Sequence, residues 1–199
     1  MMHSKINSSI NWAILCTGWG RNATDLIEAY VNGALKASKI KLVIFESEPC
    51  GAAEIAKKHG IPTLQIKRKD FSTSSDYQQN IINVLQNCQI DYIFLLNYKY
   101  LIQKEMLLAF PNRILNIHPS LFPSFLGTKT AIQDAIAYGV KITGITTHII
   151  DDEYDKGIII YQHPIKVGAK DTFDSLYPKF VKKGKKIILK TIRKIEKNN

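Results

Sequence analysis

Short apolar runs alternate with helical stretches along the first half of the chain, and this alternation restricts the fold more than any other sequence feature. The predicted strands are Trp12–Thr17, Lys41–Phe45, Ile61–Ile66 and Tyr92–Leu96, and the predicted helices are Asn22–Ala37, Ala52–His59 and Ser74–Gln86. Strands and helices that alternate at this spacing form a parallel sheet with helices on both faces. Because the last of these strands is the most apolar, we expect it to be central.

The pattern changes after Arg113. The next predicted elements are a strand at Arg113–Ile117, a helix at Thr130–Tyr138, strands at Ile142–Ile150 and Ile158–Val167, and a helix at Thr172–Lys197. A short acidic loop separates the two β-branched runs, which is typical of an antiparallel pair. No repeat or linker interrupts the chain. We therefore expect a single α/β domain over residues 1–199, with a Rossmann-like, mostly parallel sheet and an antiparallel pair near its C-terminal part.

Composition excludes several classes of protein. The 199 residues are 45% hydrophobic and 22% charged, which is typical of a globular chain that buries a core. No apolar run reaches the roughly 18 residues of a membrane-spanning helix, and the polar stretch up to Ser9 lacks the apolar segment of a secretory signal. Cys16, Cys50 and Cys88 have neither disulfide-framework nor zinc-site spacing. We expect a cytoplasmic protein without a metal site.

Positive charge is concentrated at the end of the chain. The net charge is +10, and nine basic residues lie between Lys179 and Lys197, where Glu196 is the only acid. A uniformly basic protein would indicate nucleic acid binding, but a basic terminal helix is more typical of a solvated face with some affinity for polyanions. We therefore expect neither nucleic acid nor a membrane as partner, and a homodimer stays open.

A turn with two glycines follows the first predicted strand and opens the first helix. Its residues are Gly18, Trp19, Gly20, Arg21 and Asn22. Three interpretations stay open: a site for a substrate phosphate at the helix N-terminus, a dinucleotide site of the loose Gly-x-Gly-x-x-Ala type with Glu46 as the ribose-binding acid, or a turn that only the backbone requires. The arginine favours the first, because a guanidinium binds phosphate bidentately. The tryptophan either covers a ligand or packs.

The strongest catalytic candidates lie where a predicted strand ends. Asn116 and His118 are two residues apart, so they share a face of the strand, while Ile117 points to the other face and into the core. Pro119 ends the strand, which puts the pair at its carboxyl end, where open α/β sheets bind ligands. An amide donor beside an imidazole suits a developing oxyanion, although a capped polar turn is an equal alternative.

The acidic loop after the first β-branched strand contains four carboxylates. They belong to Asp151, Asp152, Glu153 and Asp155. A carboxylate near an imidazole would raise its pKa and could accept a proton, but a solvated acidic hairpin explains the same residues. His148, on the strand before this loop, is more typical of a satisfied core histidine than of a catalyst.

These motifs together resemble the folate-dependent formyltransferases. The residues that carry the resemblance are Asn116-Ile117-His118-Pro119-Ser120-Leu121-Phe122-Pro123, Gly127, Thr143-Gly144-Ile145-Thr146-Thr147-His148, Asp155-Lys156-Gly157 and Ile159-Ile160-Tyr161-Gln162. The similarity runs from the first strand to the last helix. It implies the formyltransferase fold and an enzyme that moves a formyl group from 10-formyltetrahydrofolate, as donor co-substrate, to a primary amine.

The resemblance also implies roles for single residues. Asn116, His118 and Asp155 match the catalytic triad of the family, in which the amide and the protonated imidazole stabilise the oxyanion and the carboxylate holds the imidazole. The family's pterin pocket corresponds to two segments here. Its matching residues are Tyr98, Lys99, Tyr100, Leu101, Ile150, Asp151 and Asp152. Phosphate binding by the acceptor corresponds to the glycine turn at residues 18–22.

The acceptor is less well defined, because the chain departs from the purine enzymes of the family. Arg21 replaces their phosphate-binding serine, and Gly184-Lys185 replace a Glu-His pair that holds the substrate ribose, whereas the last helix resembles that of the tRNA and sugar enzymes. We expect an amino-sugar nucleotide as acceptor, with glycinamide ribonucleotide as the alternative. A tRNA acceptor is the least expected, since the chain ends at Asn199. A dinucleotide-dependent oxidoreductase and a non-catalytic binding module are remote alternatives.

Overall fold

A seven-stranded sheet organises the part of the chain that the computed structural model describes, residues 9–151 and 157–198. The strands are β1 (Ile10–Cys16), β2 (Ser38–Phe45), β3 (Thr63–Gln65), β4 (Tyr92–Leu95), β5 (Ile114–His118), β6 (Ile142–Ile149) and β7 (Ile159–Lys166). The helices are α1 (Arg21–Val31), α2 (Gly51–Lys58), α3 (Ser74–Asn87), α4 (Lys104–Ala109), α5 (Ala131–Tyr138) and α6 (Phe173–Asn198), with a 3-10 turn at Arg68–Asp70.

The strand order is β3-β2-β1-β4-β5-β6-β7, so β4 is central, as its apolar sequence predicts. Strands β1 to β5 pair in parallel, whereas β6 runs antiparallel to both β5 and β7. The β6–β7 pair is the one predicted from the two β-branched runs. The prediction of a Rossmann-like, mostly parallel α/β sheet with an antiparallel pair near the C-terminal part is therefore confirmed.

Helices cover both faces of the sheet. On one face, α1, α2 and α6 enclose a core that contains Ile14 and Leu26. On the other face, α3 and α4 pack around Leu15 and Ile81, and α5 joins α6 in a third cluster around Ile132. Neighbouring residues of β1 thus serve opposite cores, because side chains alternate along a strand. Burial on both faces explains why β1 and β4 are continuous apolar runs.

Some predicted boundaries were wrong. Helix α1 ends at Val31 instead of Ala37, because Gly33 adopts a left-handed conformation (φ 74°) that stops the helix. Helix α4 was not predicted, since it has six residues and buries only Met106, which leaves no apolar period to detect.

None of the described helices is long and apolar enough to cross a membrane.

The chain reverses its direction of sheet growth between β1 and β4. β2 and β3 lie on one side of β1, and β4 to β7 lie on the other. Beyond the strand ends, the Asn97 carbonyl accepts hydrogen bonds from Thr17 N (3.0 Å) and Thr17 Oγ1 (2.6 Å). This contact joins the glycine turn to the end of β4, and open α/β sheets bind their ligands at such a point.

Candidate active site

A cavity of about 580 Å³ opens at the carboxyl ends of β4 and β5, beside the start of α1. Its volume suits a small molecule, and it lies where an open α/β sheet is expected to bind one. Polar groups from the strand ends face one side of α6 across it. The lining residues are Asn22, Asn97, Tyr98, Lys99, Asn116, Ile117, His118, Pro119, Thr128, Lys129, Ile132, Ile145, Tyr177, Phe180, Val181 and Gly184.

Asn116 lines this cavity together with His118, in agreement with their spacing on β5. Its Nδ2 atom donates a hydrogen bond to His148 Nε2 at 3.3 Å, and the register of β5 and β6 sets the two residues directly opposite each other. His148 is fully buried, so it orients the amide from within the core. Because an amide nitrogen carries two protons, the second one remains for a ligand.

The loop after β5 holds His118 in position. Its Nε2 atom and the Phe125 carbonyl are 3.0 Å apart, and since a carbonyl only accepts, Nε2 carries the proton in this bond. The Phe122 ring lies 5.3 Å from the His118 ring and 4.9 Å from that of His148, measured between centroids. His118 is only 7% exposed. The imidazole is therefore fixed in position and open to the cavity on one side.

Ile117 behaves partly as predicted. It packs against two of the apolar clusters, but it also contributes to the lining of the cavity. The prediction that it points only into the core was therefore incomplete, because Ile117 is only partly buried where β5 ends beside the cavity.

The acidic loop is described only at its two ends. Ile150 N donates to the Ile114 carbonyl at 2.9 Å, which extends the β5–β6 pairing, and Asp151 is exposed. Asp152 and Asp155 lie outside the described residues, so their roles stay predictions. At the far end, a Cβ at Gly157 would collide with the carbonyl of the preceding strand. Glycine is thus required directly after the Asp-Lys pair.

The residues expected to hold the pterin lie around the end of β4. Tyr98 and Lys99 line the cavity, whereas Tyr100, Leu101 and Ile150 are not part of its described lining. Tyr98, Tyr100 and Ile150 instead pack against the core on the α3–α4 side of the sheet. Residues of both segments that the resemblance assigns to the pterin therefore pack against the same apolar core.

Lys99 is fixed at the rim of the cavity. Its Nζ atom lies 3.2 Å from Glu46 Oε2 and 5.0 Å from the centroid of the Tyr100 ring. Tyr100 and Glu46 raise the pKa of Lys99, so it stays a cation at neutral pH. Glu46, considered above as a ribose-binding acid, is therefore already engaged. Burial raises the pKa of Tyr98, which remains a neutral hydroxyl.

Both glycines of the turn have conformations that favour glycine. Gly18 has φ 61° and Gly20 has φ 69°, both in the left-handed region. A Cβ at Gly20 would lie 3.0 Å from the Ala52 Cβ, so close packing also requires a glycine there. Of the five residues predicted to bind the acceptor, only Asn22 is among the described lining residues. The turn is therefore structurally determined, and its tip lies beside the cavity.

Arg21 and Trp19 are placed at the edge of this turn. Arg21 Nη2 lies 3.7 Å from Asp25 Oδ2, one helical turn along α1. Trp19 is 57% exposed, and its ring covers Gly51, where a Cβ would come within 2.6 Å of Trp19 Cε2. The tryptophan thus packs with one part of its ring and presents the rest to solvent, and its covering of a ligand stays a prediction.

Several lining residues were not predicted from the sequence, above all those before and within α5. Thr128 Oγ1 donates to Asp134 Oδ2 at 2.5 Å, and Thr130 N donates to Thr128 Oγ1 at 3.1 Å. These bonds order the loop that carries Lys129 to the rim. Two threonines followed by an aspartate in the first turn form a helix-start signal that could have indicated an ordered loop here.

Known proteins are similar to this chain in sequence and in fold. The family model described as formyl transferase matches residues 10–192. The phosphoribosylglycinamide formyltransferase of Bacillus subtilis is 31% identical over 165 residues, which cover 83% of this chain and 84% of that protein. The chloroplastic enzyme of the same name from Arabidopsis thaliana is 30% identical over 185 residues, 90% of this chain and 63% of that protein. This chain therefore spans less than two thirds of the chloroplastic relative.

Solved structures agree with this fold over 93% to 100% of the chain. Glycinamide ribonucleotide transformylase 1 from Symbiobacterium toebii superposes with a TM-score of 0.92 at 28% identity, covering 100% of this chain and 92% of that chain. Phosphoribosylglycinamide formyltransferase from Bacillus halodurans gives a TM-score of 0.87 at 32% identity, covering 93% and 94%. With the Asn116 and His118 pair at the cavity, these matches lead to one conclusion: the chain belongs to the formyl transferase family.

Proposed function

We propose that this protein is a phosphoribosylglycinamide formyltransferase, which formylates the primary amine of glycinamide ribonucleotide in purine biosynthesis. The formyl donor is 10-formyltetrahydrofolate. The observation that carries the proposal is the cavity in which Asn116 and His118 face Asn22 at the start of α1. An amine acceptor with a phosphate fits this arrangement, because the proposed reacting groups and a helix N-terminus line the same cavity.

The relatives support this acceptor better than the amino-sugar nucleotide that Arg21 and the last helix favoured. The curated and solved relatives named above are enzymes of glycinamide ribonucleotide, at identities of 28% to 32%. The departures at Arg21 and Gly184 are then substitutions within a purine enzyme. A small phosphorylated amine as partner and a cytoplasmic reaction are parts of the same proposal.

In the proposed reaction, the acceptor amine attacks the formyl carbon and a tetrahedral oxyanion forms. The free N–H of the Asn116 amide and protonated His118 donate hydrogen bonds to this oxygen. His148 fixes the amide in advance, whereas the His118 Nε2–H exchanges the Phe125 carbonyl for the oxyanion, so that the second N–H of the imidazolium is left for the Asp155 carboxylate expected from the resemblance. Asp155 holds His118 and helps to move the proton from the attacking nitrogen. The bond from the formyl carbon to the folate N10 then breaks, and N10 takes up a proton.

The test is a transfer assay with two kinds of acceptor. The protein receives 10-formyltetrahydrofolate with either glycinamide ribonucleotide or a panel of nucleotide-linked amino sugars, and mass spectrometry identifies the products. We expect formylated glycinamide ribonucleotide, and a His118→Ala variant serves as the control for contaminating activity. Formylation of a sugar with the ribonucleotide left unchanged would contradict the proposal and restore the amino-sugar interpretation.

A further inference from the structure

Two backbone N–H groups of the glycine turn already have side-chain partners from neighbouring loops. Gly18 N donates to Ser47 Oγ at 3.1 Å, and Asn22 N donates to Asn97 Oδ1 at 3.1 Å. The second of these lies in the first turn of α1 and within the lining of the cavity. An acceptor phosphate at this turn would need such N–H groups as donors. One of them, the N–H of Asn22, already donates to Asn97.

The Asn97 side chain is not required to hold its own backbone. Its main chain has φ 62°, a left-handed conformation that asparagine tolerates and glycine adopts freely. Its carbonyl, and not its amide, accepts the two bonds from Thr17 that join β1 to β4. A glycine at position 97 would keep these contacts and remove only the oxygen that covers Asn22 N.

We propose that Asn97 sets the affinity for the acceptor by competing with its phosphate for the N–H of Asn22. This inference rests on the proposed function only in that the acceptor carries a phosphate. When the phosphate arrives, the Asn97 amide turns away and the N–H changes partner. The exchange costs one hydrogen bond at an exposed side chain, which weakens acceptor binding by about three- to tenfold relative to a free N–H.

The cavity supports a functional role for this residue beyond that of a loop asparagine. Asn97 and Asn22 belong to the same lining as Asn116 and His118. The Asn22 side-chain amide has no hydrogen-bond partner within residues 9–151 and 157–198, and its Oδ1 faces Gly184 at 3.6 Å from a Cβ placed there. Asn97 therefore controls the backbone donor of a residue whose side chain is open to a ligand.

The test uses inorganic phosphate as a probe, because its binding does not depend on which amine is formylated. The chemical shift of the Asn22 amide is followed by NMR during phosphate titration of the wild type and of Asn97→Gly. We expect the variant to bind phosphate about three- to tenfold more tightly and to show a lower acceptor KM, without a matching change in the KM of the formyl donor. Asn112→Gly is the matched control, because Asn112 has φ 57° outside the cavity lining.

An Asn97→Asp variant should change phosphate binding in the opposite direction. A carboxylate is stabilising near a helix N-terminus, so the protein still folds, but it repels phosphate and should weaken its binding by about tenfold or more. Equal or weaker phosphate binding by Asn97→Gly than by the wild type would overturn the inference, as would no detectable binding to either protein. Tighter binding by Asn97→Gly without formylation of glycinamide ribonucleotide would support this inference and contradict the proposed acceptor.

Discussion

Gly184 offers a substitution whose effects on stability and on acceptor binding should have opposite signs. It lies inside the 26-residue helix α6, is buried, and lines the cavity. A Cβ at this position would meet only Asn22 Oδ1, at 3.6 Å, which is an ordinary van der Waals contact. Since alanine is favoured over glycine in a helix interior by about 1 kcal/mol, Gly184→Ala should stabilise the fold and raise the Tm by about 2–4 °C.

The same methyl group should weaken acceptor binding. It would project toward Asn22 and occupy space that the acceptor needs, so we expect the acceptor KM to rise about tenfold while the donor KM changes little. Calorimetric melting and steady-state kinetics with each substrate varied in turn measure the two effects. A lower Tm would refute the reasoning about open space in α6. An unchanged acceptor KM would refute the placement of Gly184 in the acceptor site.

Gly139→Ala is the matched control for this variant. A Cβ at Gly139, which follows α5, would meet no atom within 4 Å, but its φ of 76° is left-handed. An alanine there should therefore destabilise the protein by about 1–2 kcal/mol, although the available space is at least as large. Opposite changes in Tm at the two glycines would separate backbone conformation from packing as the cause.

Three further predictions concern charged groups. His118→Ala and Asp155→Asn should each lower kcat by about 10²-fold or more, as lost acid–base groups do, and near-wild-type turnover of either variant would contradict the mechanism. A hydrogen bond from Lys179, with others from the backbone and a serine, lowers the pKa of Asp171 to about 2. At pH values above the ordinary pKa of an aspartate, its carboxylate therefore stabilises the fold, and this stabilisation is lost as the pH falls toward 2. Urea unfolding should find the Asp171→Asn variant less stable than the wild type at pH 7 but equally stable at the lowest pH. Burial and three lysines of α6 lower the pKa of His163, so NMR titration should find that added salt raises this pKa, and a salt-independent value would contradict the lysine contribution.

Sequence patterning predicted the parts of the site that depend on one local segment. Asn116 and His118 share a strand face because side chains alternate, and Pro119 marks the carboxyl end of that strand, so the sequence alone assigns both residues to the ligand side of the sheet. The tight turn at Gly18 and Gly20 was likewise predicted from the sequence, since positive φ angles and close packing select glycine.

Contacts between separate elements could not be predicted from local sequence patterns. His148 looked like an ordinary core histidine, and its bond to Asn116 follows from the antiparallel register of β5 and β6, which no single segment encodes. Asn97 had no motif at all, yet it covers the first turn of α1. Both residues act on a partner that lies tens of positions away in the chain.

The α/β class, the central position of β4 and the placement of Asn116 and His118 at a strand end therefore follow from local periodicity and turn chemistry, which act over a few residues. The shape of the cavity depends on how α1, the loop after β4 and α6 come together around Asn22. That arrangement results from packing between separate elements. The tertiary fold alone brings these three segments to one cavity.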